Sequence, residues 1–352
     1  LLGGLFFAFV GLPYLGLTYV PFILGMINLG VAILLLNSFL RSPLTPKGEL
    51  PPMEHKWEEA PLQGLGASEG LSKKSLNLIA LGITALILLG MANAQNIIFF
   101  GEQNQYKDKI VLSEQSAYQK IVLTEWKGDY WFYLNGNLQF CTFDEALYHE
   151  VLVHPVRQLS PNAQNILILG GGDGCAVREL LKYPNSSQIT LVDLDPKITD
   201  LAMNHPIFRD LNKDALNAEN VKVLNADGYR FLEKNNEYFD LIIIDLPDPR
   251  NVELSRLYSL EFYQLCAKRL GKNGILVTQA GSPYFAADAF QCIQKTISEA
   301  GFTTLPIHNQ IVTMGEWGWV IGSKFHSNSE NLKQNLLNLN IEQIETRWLN
   351  KE

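Results

Sequence analysis

Five aspartates, Asp173, Asp193, Asp227, Asp245 and Asp248, each stand at or just after the end of an apolar run. Taken singly, each has an ordinary explanation. Asp227-Gly228 and Asp248-Pro249 are turn signals, and a carboxylate near a helix start is electrostatically comfortable. Together, at one edge of one sheet, they would make an acidic pocket. Asp245 follows Leu241–Ile244 and is expected to be partly desolvated, which raises a carboxylate's pKa until a neighbouring ammonium pulls it down again. Asp193 comes about 20 residues after a glycine-rich turn, where an acid in nucleotide-binding folds grips ribose hydroxyls. Helix capping there falls instead to Asp195, just before Pro196. Asp173 lies inside the glycine turn and would repel an anionic ligand. That composition points to a nucleoside carrying positive charge and away from dinucleotides.

The elements that must hold these residues follow from the pattern. Asn165–Gly170 reads as a buried parallel strand, Gly170–Gly174 as a tight turn, and Cys175–Tyr183, with Val177, Leu180 and Leu181 at helical spacing, as a helix. Bare glycine backbone at a helix N-terminus lets a ligand approach closely. Further strands are expected at 188–192, 221–225, 239–245, 274–279 and about 302–308, with helices between them, giving a doubly wound parallel sheet. Trp317–Gly322 could add an edge strand. Upstream, 110–142 reads as a small β-hairpin domain, with strands at Ala117–Glu125, Asp129–Leu134 and Asn137–Cys141 around Lys127-Gly128 and Asn135-Gly136. A helix near 143–153, bearing Tyr148 and His149, joins it to the sheet domain at 143–325. The tail 326–352 is polar, with a weak apolar stripe (Leu336, Leu339, Ile341, Ile344), and is expected to be peripheral.

Composition narrows the class. Residues 1–94 carry five basic and five acidic side chains, so the net charge of −8 lies wholly in 95–352. An acidic domain is a poor nucleic-acid binder. Cys141, Cys175, Cys266 and Cys292 show no CxxC pairing and read as reduced thiols; no histidine cluster has metal-ligand spacing. Residues 21–40 contain no charge and at about 1.5 Å per residue reach roughly 30 Å, the thickness of a bilayer core. Residues 76–93 form a second such run, and Leu1–Val10 reads as the end of a third, with Pro13 and Gly16 in the turn after it. Residues 1–94 are therefore expected to be a transmembrane region, with 41–75 as a loop. The chain does not begin with Met, so it is expected to be part of a longer protein. Lysines flank both ends of the second run, and charge alone does not orient it.

The motifs Ile168-Leu-Gly-Gly-Gly-Asp-Gly174 with Val177-Arg-Glu-Leu180, Val192-Asp-Leu-Asp-Pro196 and Phe239-Asp-Leu-Ile-Ile-Ile-Asp-Leu-Pro-Asp-Pro249 closely resemble those of spermidine synthase and related polyamine aminopropyltransferases. So do Tyr118-Gln119-Lys120 and Asp144-Glu-Ala-Leu-Tyr-His-Glu150. The resemblance covers about 110–325, and the apolar runs look like those of the family's membrane-anchored branch. It implies a Rossmann-like sheet of the S-adenosylmethionine-methyltransferase type. The implied reaction moves an aminopropyl group from decarboxylated S-adenosylmethionine, as co-substrate, to an amine such as putrescine, releasing methylthioadenosine without metal or cofactor. By resemblance Gln119, His149, Asp173, Asp193 and Asp227 would hold the donor, with Asp193 on the ribose and Asp227 near the adenine. Tyr148, Asp245 and Asp248 would position the acceptor, with Asp245 as base. The implied partners are a polyamine, a sulfonium nucleoside and a membrane, with a homodimer among the open assemblies. The implied location is the cell membrane, multi-pass, with the catalytic domain in the cytoplasm. The chain departs from soluble members at Met314-Gly-Glu-Trp-Gly318 and at Gly281, where an acid is common, so the acceptor stays open and Glu316 becomes a substitute acid or a surface residue. Two alternatives remain: a methyltransferase, which usually has an acid where Ile168 and Leu169 stand, and a non-catalytic nucleoside-binding membrane protein.

Overall fold

Consecutive apolar residues that cannot face water on either side build the centre of a seven-stranded sheet. In the computed structural model, which describes residues 16–41, 73–184, 188–250 and 252–350, β5 (Asn165–Gly170), β6 (Gln188–Asp193), β7 (Val221–Asn225) and β8 (Phe239–Asp245) run parallel. They are joined by β9 (Leu270–Gln279), parallel to β8. The strand order is β10-β11-β9-β8-β5-β6-β7. The two last strands, β10 (Thr303–Ile311) and β11 (Gly315–Ser323), pair antiparallel, and β11 also pairs antiparallel with β9. This corrects the expected all-parallel sheet. Trp317–Gly322 is no edge either: it lies inside β11, between β9 and β10, and β10 forms the edge. The reason is connectivity, because a short turn at 312–314 can only send the chain back antiparallel.

Two hydrophobic layers cover the sheet. Helices α4 (Ala146–Leu159) and α5 (Cys175–Leu181) pack on one face with Ile166, Ile168, Leu241, Ile243 and Trp319. Residues from 260–269 and 287–299, both helical, pack on the other with Leu167, Leu169, Ile242 and Ile244. Odd and even positions of one strand thus belong to opposite layers, as the pleat requires.

The small β unit has four antiparallel strands in the order β1-β2-β3-β4. Strands β2 (Lys120–Trp126), β3 (Asp129–Leu134) and β4 (Asn137–Cys141) lie where expected, and β1 (Lys109–Gln115) is additional. Tyr118 and Gln119 lie in the turn before β2 rather than in a strand. Ile121, Leu123, Phe132 and Phe140 pack on Ile198, Leu201 and Phe208 of the two helices after β6.

The chain divides into two compact units, Leu1–Lys107 and Asp108–Glu352. In the first, α1 (Gly16–Arg41) contains Pro21, α2 spans Lys73–Ala92 and α3 spans Ala94–Gln103. Gly16 opens α1 and is not part of a turn. Phe22 lies against Gly90, where an added Cβ would meet the ring at 2.6 Å, so α1 and α2 approach closely through a small residue. Among the described residues one helix, Lys74–Ala92, is long and apolar enough to cross a membrane, with mean hydropathy 2.1 and none of it buried; the apolar stretch Tyr19–Leu35 is shorter. The expected helix at Leu1–Val10, Pro13, and residues 42–72 of the expected loop lie outside the described residues.

Candidate active site

Strands β5 and β8 are neighbours, but the chain leaves β5 toward β6 and β7 and returns through β8 toward β9. Strand order therefore reverses between β5 and β8, and a crevice opens beyond their carboxyl ends. Gly170, Gly171 and Gly174 have φ of 81°, 62° and 84°, the left-handed region that glycine enters without steric cost. A Cβ at Gly170 would lie 2.0 Å from the carbonyl oxygen of Asp245, and one at Gly172 would lie 2.7 Å from Asp193 Oδ2. The turn is held by the Gly171 N–H donating to Asp245 O at 3.1 Å and the Gly172 N–H donating to Asp193 Oδ2 at 3.1 Å.

Four of the sequence-derived candidates meet in this crevice. The Tyr148 hydroxyl donates to Asp245 Oδ1 at 2.6 Å. His149, next on α4, places Nε2 4.0 Å from Asp173 Oδ1. Asp173 itself accepts the Cys175 N–H at 2.8 Å, at the start of α5. Burial pushes the Asp245 carboxyl up to about 6; His149 opposes that shift and Asp173 adds to it. Burial also raises the Tyr148 phenol well above its ordinary value, with Asp245 reinforcing the effect, so Tyr148 stays a donor. Burial works against a charged His149, but the hydrogen bond and charge of Glu145 outweigh it and raise the imidazole to about 9. His149, Asp173 and Asp245 offer atoms within 4.8 Å of one another. One imidazolium between two carboxylates leaves a single negative charge, which suits an ammonium.

The remaining candidates lie along the same edge but are not gathered into that cluster. Asp193 accepts the N–H groups of Gly172 and Asp195, and burial pushes it up to about 6 against those bonds. Asp195 caps the helix begun by Pro196, as expected. The Gln119 amide donates to Asp195 Oδ2 at 2.9 Å rather than to Asp193, which ties the β unit to the sheet. Asp227 caps the helix starting at Gly228 and pairs with Arg256 at 2.5 Å. Its backbone and guanidinium partners overcome burial and lower its pKa. Asp248 pairs with Arg250 at 3.3 Å. Glu316 pairs with His308 at 2.8 Å on the β10–β11 hairpin, and Trp317 packs against the core layer that contains Tyr148.

Several participants were not singled out from sequence. Glu145 and Arg178 stand behind His149. Gln279 donates to Leu246 O at 2.5 Å and to the Tyr258 hydroxyl at 2.7 Å, and Tyr258 donates to the carbonyls of Leu246 and Pro247. These two hold the segment running from Asp245 to Asp248. Trp319, fully buried, lies 5.2 Å from the Tyr148 ring. Glu145 had a signal, four residues before His149 on one helix; Tyr258, Gln279 and Trp319 had none, since only tertiary pairing brings them here.

Against known proteins, a family described as the spermine/spermidine synthase domain matches residues 145–334. The polyamine aminopropyltransferase of Leptospira interrogans is 36% identical over 98% of this chain and 64% of its own length. That of Oceanobacillus iheyensis is 38% identical over 92% of this chain and 58% of its own. The chain thus spans about three-fifths of the length of these curated relatives. Among solved structures, spermidine synthase in complex with the transition-state analogue AdoDATO aligns with a TM-score of 0.62 at 26% identity, over 69% of this chain and 82% of that one. Spermidine synthase from Thermotoga maritima aligns at 0.61 and 27% identity, over 69% and 81%.

Proposed function

The chain belongs to the spermine/spermidine synthase family, and from that premise we propose that it transfers an aminopropyl group from decarboxylated S-adenosylmethionine to an amine such as putrescine. The observation that carries the reading is the buried Tyr148–Asp245 pair, 2.6 Å apart, beside His149 and Asp173 at the reversal of strand order. An aliphatic amine is largely protonated at neutral pH and must lose a proton before it attacks. Asp245 takes that proton. The freed lone pair forms a C–N bond to the carbon beside the sulfonium, the C–S bond breaks, and its electron pair stays on sulfur. Methylthioadenosine leaves neutral, so no oxyanion needs stabilising. The rest of the work is alignment of two bound molecules.

In this reading Asp173 receives the ammonium of the donor arm with His149 behind it, Asp193 the ribose hydroxyls and Asp227 the adenine side. Gln119 closes the donor pocket through Asp195. Tyr148 and Asp248 orient the acceptor. The apolar helix Lys74–Ala92 supports membrane anchoring, with further spans upstream, and the cytosolic character of the substrates supports a catalytic unit on that side. A homodimer remains compatible with this arrangement.

The test is methylthioadenosine release from the decarboxylated donor across a panel of di- and polyamines. Transfer of labelled methyl from S-adenosylmethionine instead would establish a methyltransferase. Binding of methylthioadenosine with turnover on no amine would establish a nucleoside sensor. Protease access to residues 108–352 from outside intact spheroplasts would contradict the cytoplasmic placement.

A further inference from the structure

His149 is buried, and both its ring nitrogens face oxygen. Nδ1 lies 2.8 Å from Glu145 Oε2 and 3.0 Å from Glu145 O, two acceptors. Nε2 lies 4.0 Å from Asp173 Oδ1. A neutral imidazole carries one proton, so it would turn a lone pair toward a carboxylate on one side. Glu145 does not stand alone: Arg178 grips both its oxygens, with Nη1 and Nη2 each 2.9 Å away. Arg178 is fixed in turn by Leu211 O and Glu179 Oε1, both at 2.8 Å. The other groups facing His149 are Tyr148 on its own helix, Cys175 at the start of α5, Asp173 before it, Asp245 at the end of β8 and the Phe140 ring of β4. Burial keeps Tyr148 and Cys175 protonated and neutral, whereas Asp173 and Asp245 both favour a cationic ring.

We propose that Glu145, clamped by Arg178, is a positioning residue that keeps His149 protonated on both nitrogens, so that the imidazolium charge, 4.0 Å from Asp173 Oδ1, attracts that carboxylate and fixes where it meets the ammonium of the donor. The proposal rests on the reading of the crevice as an aminopropyl-donor pocket. Neither Glu145 nor Arg178 touches a reacting atom; both act through His149. The bidentate fork matters, because a guanidinium fixes a carboxylate in plane where an ammonium would leave it free to rotate. With that plane fixed, the Glu145 oxygen stays on the Nδ1 side and the second proton is left for Asp173.

The test uses the full chain with 15N-labelled histidine, the His149 signal being assigned by its loss in His149→Gln. In the wild type His149 should stay doubly protonated until about pH 9. In Glu145→Gln the titration should fall by about two pH units, the size expected for losing an adjacent opposite charge. Arg178→Lys should move it the same way by less. By calorimetry, Glu145→Gln should bind the decarboxylated donor as tightly as wild type at pH 6, where His149 is protonated regardless. At pH 8 it should bind about tenfold more weakly, the scale of losing one close charge pair. Methylthioadenosine, which lacks the ammonium, should bind equally at both pH values. An unmoved His149 titration in both variants, or a donor defect of equal size at pH 6 and pH 8, overturns the proposal and leaves Glu145–Arg178 as a core ion pair. A wild type that fails to bind the donor refutes the donor-pocket reading alone, and the titration still decides the role of Glu145. Should Glu145→Gln not fold, the Arg178→Lys titration carries the same decision.

Discussion

Asp245 is where burial and charge compete most directly. Its carboxyl is pushed up to about 6, and a base works only when ionised. The kcat/KM for the acceptor should therefore rise through about pH 6 and fall tenfold per unit below it. Asp245→Asn, which keeps the shape but cannot take a proton, should lower turnover by about 10²–10⁴-fold with a smaller effect on donor affinity; near wild-type turnover would transfer the base to Asp248. The same shift has a sign for stability. A folded pKa above the unfolded value means the native state holds the proton more tightly, so ionised Asp245 is destabilising above about pH 6 and costs nothing below about pH 4, on the order of 3 kcal/mol at most. Asp245→Asn should thus melt at a higher temperature than wild type at pH 7.5, with the gap closing toward pH 4. A lower melting temperature at pH 7.5 would show that Asp245 is held by more than Tyr148. In the proposed donor pocket Asp173 sets donor choice. Two unit charges about 4 Å apart at an effective dielectric near 20 interact by roughly 4 kcal/mol, and S-adenosylmethionine carries an extra carboxylate on the arm proposed to face Asp173. Asp173→Asn should weaken binding of the decarboxylated donor and narrow its advantage over S-adenosylmethionine in calorimetric titrations. An unchanged affinity ratio would reduce Asp173 to a turn residue.

Among the elements, the glycine turn and the segment after β8 carry the geometry. Gly170→Ala demands both a left-handed φ and a Cβ 2.0 Å from the Asp245 carbonyl oxygen, so β5 and β8 must part. Gly301 has φ of 95° but open space around it, so Gly301→Ala meets only the backbone preference, about 1–2 kcal/mol. Denaturant titration should show Gly170→Ala well below Gly301→Ala, and equal losses would mean the close approach is not real. The Asp245–Asp248 segment hangs on Gln279, whose amide reaches Leu246 O and Tyr258. Gln279→Ala should raise KM for the amine while leaving methylthioadenosine affinity within about twofold. Much of this level was legible. Ile242, Ile243 and Ile244 are wholly buried, as an unbroken apolar run ending in an acid implies. Strand β1, Lys-Ile-Val-Leu-Ser-Glu-Gln, was not legible. Three of its four polar residues cluster at the end of the strand, so the sequence lacks the alternation that marks a half-buried strand, and pairing with β2 decides it.

At the scale of the whole molecule, the structure separates Leu1–Lys107 from Asp108–Glu352, and every residue assigned to the pocket lies in the second unit. A chain beginning at about residue 102 is therefore expected to fold, stay in solution and bind methylthioadenosine, while the full chain sediments with membranes and resists alkaline extraction. A well-folded shortened chain that loses nucleoside binding would show that the first unit contributes to the site. The tail is less peripheral than its polarity suggested: the N–H groups of Arg347, Trp348 and Leu349 all donate to the buried Glu150 carboxylate, one residue from His149. The sequence by itself determined the parallel strands, the glycine turn and the row of acids at its edge, because each is a local pattern of apolar runs, glycine and aspartate. It also marked Tyr148 and His149 through their motif. Tertiary structure alone decided that β11 enters the sheet between β9 and β10, that Gln119 is spent on Asp195, and that Asp227 is paired with Arg256. It alone brought Arg178 onto Glu145 behind His149. Those outcomes depend on distances between residues far apart in the chain, and a local pattern carries no such distance.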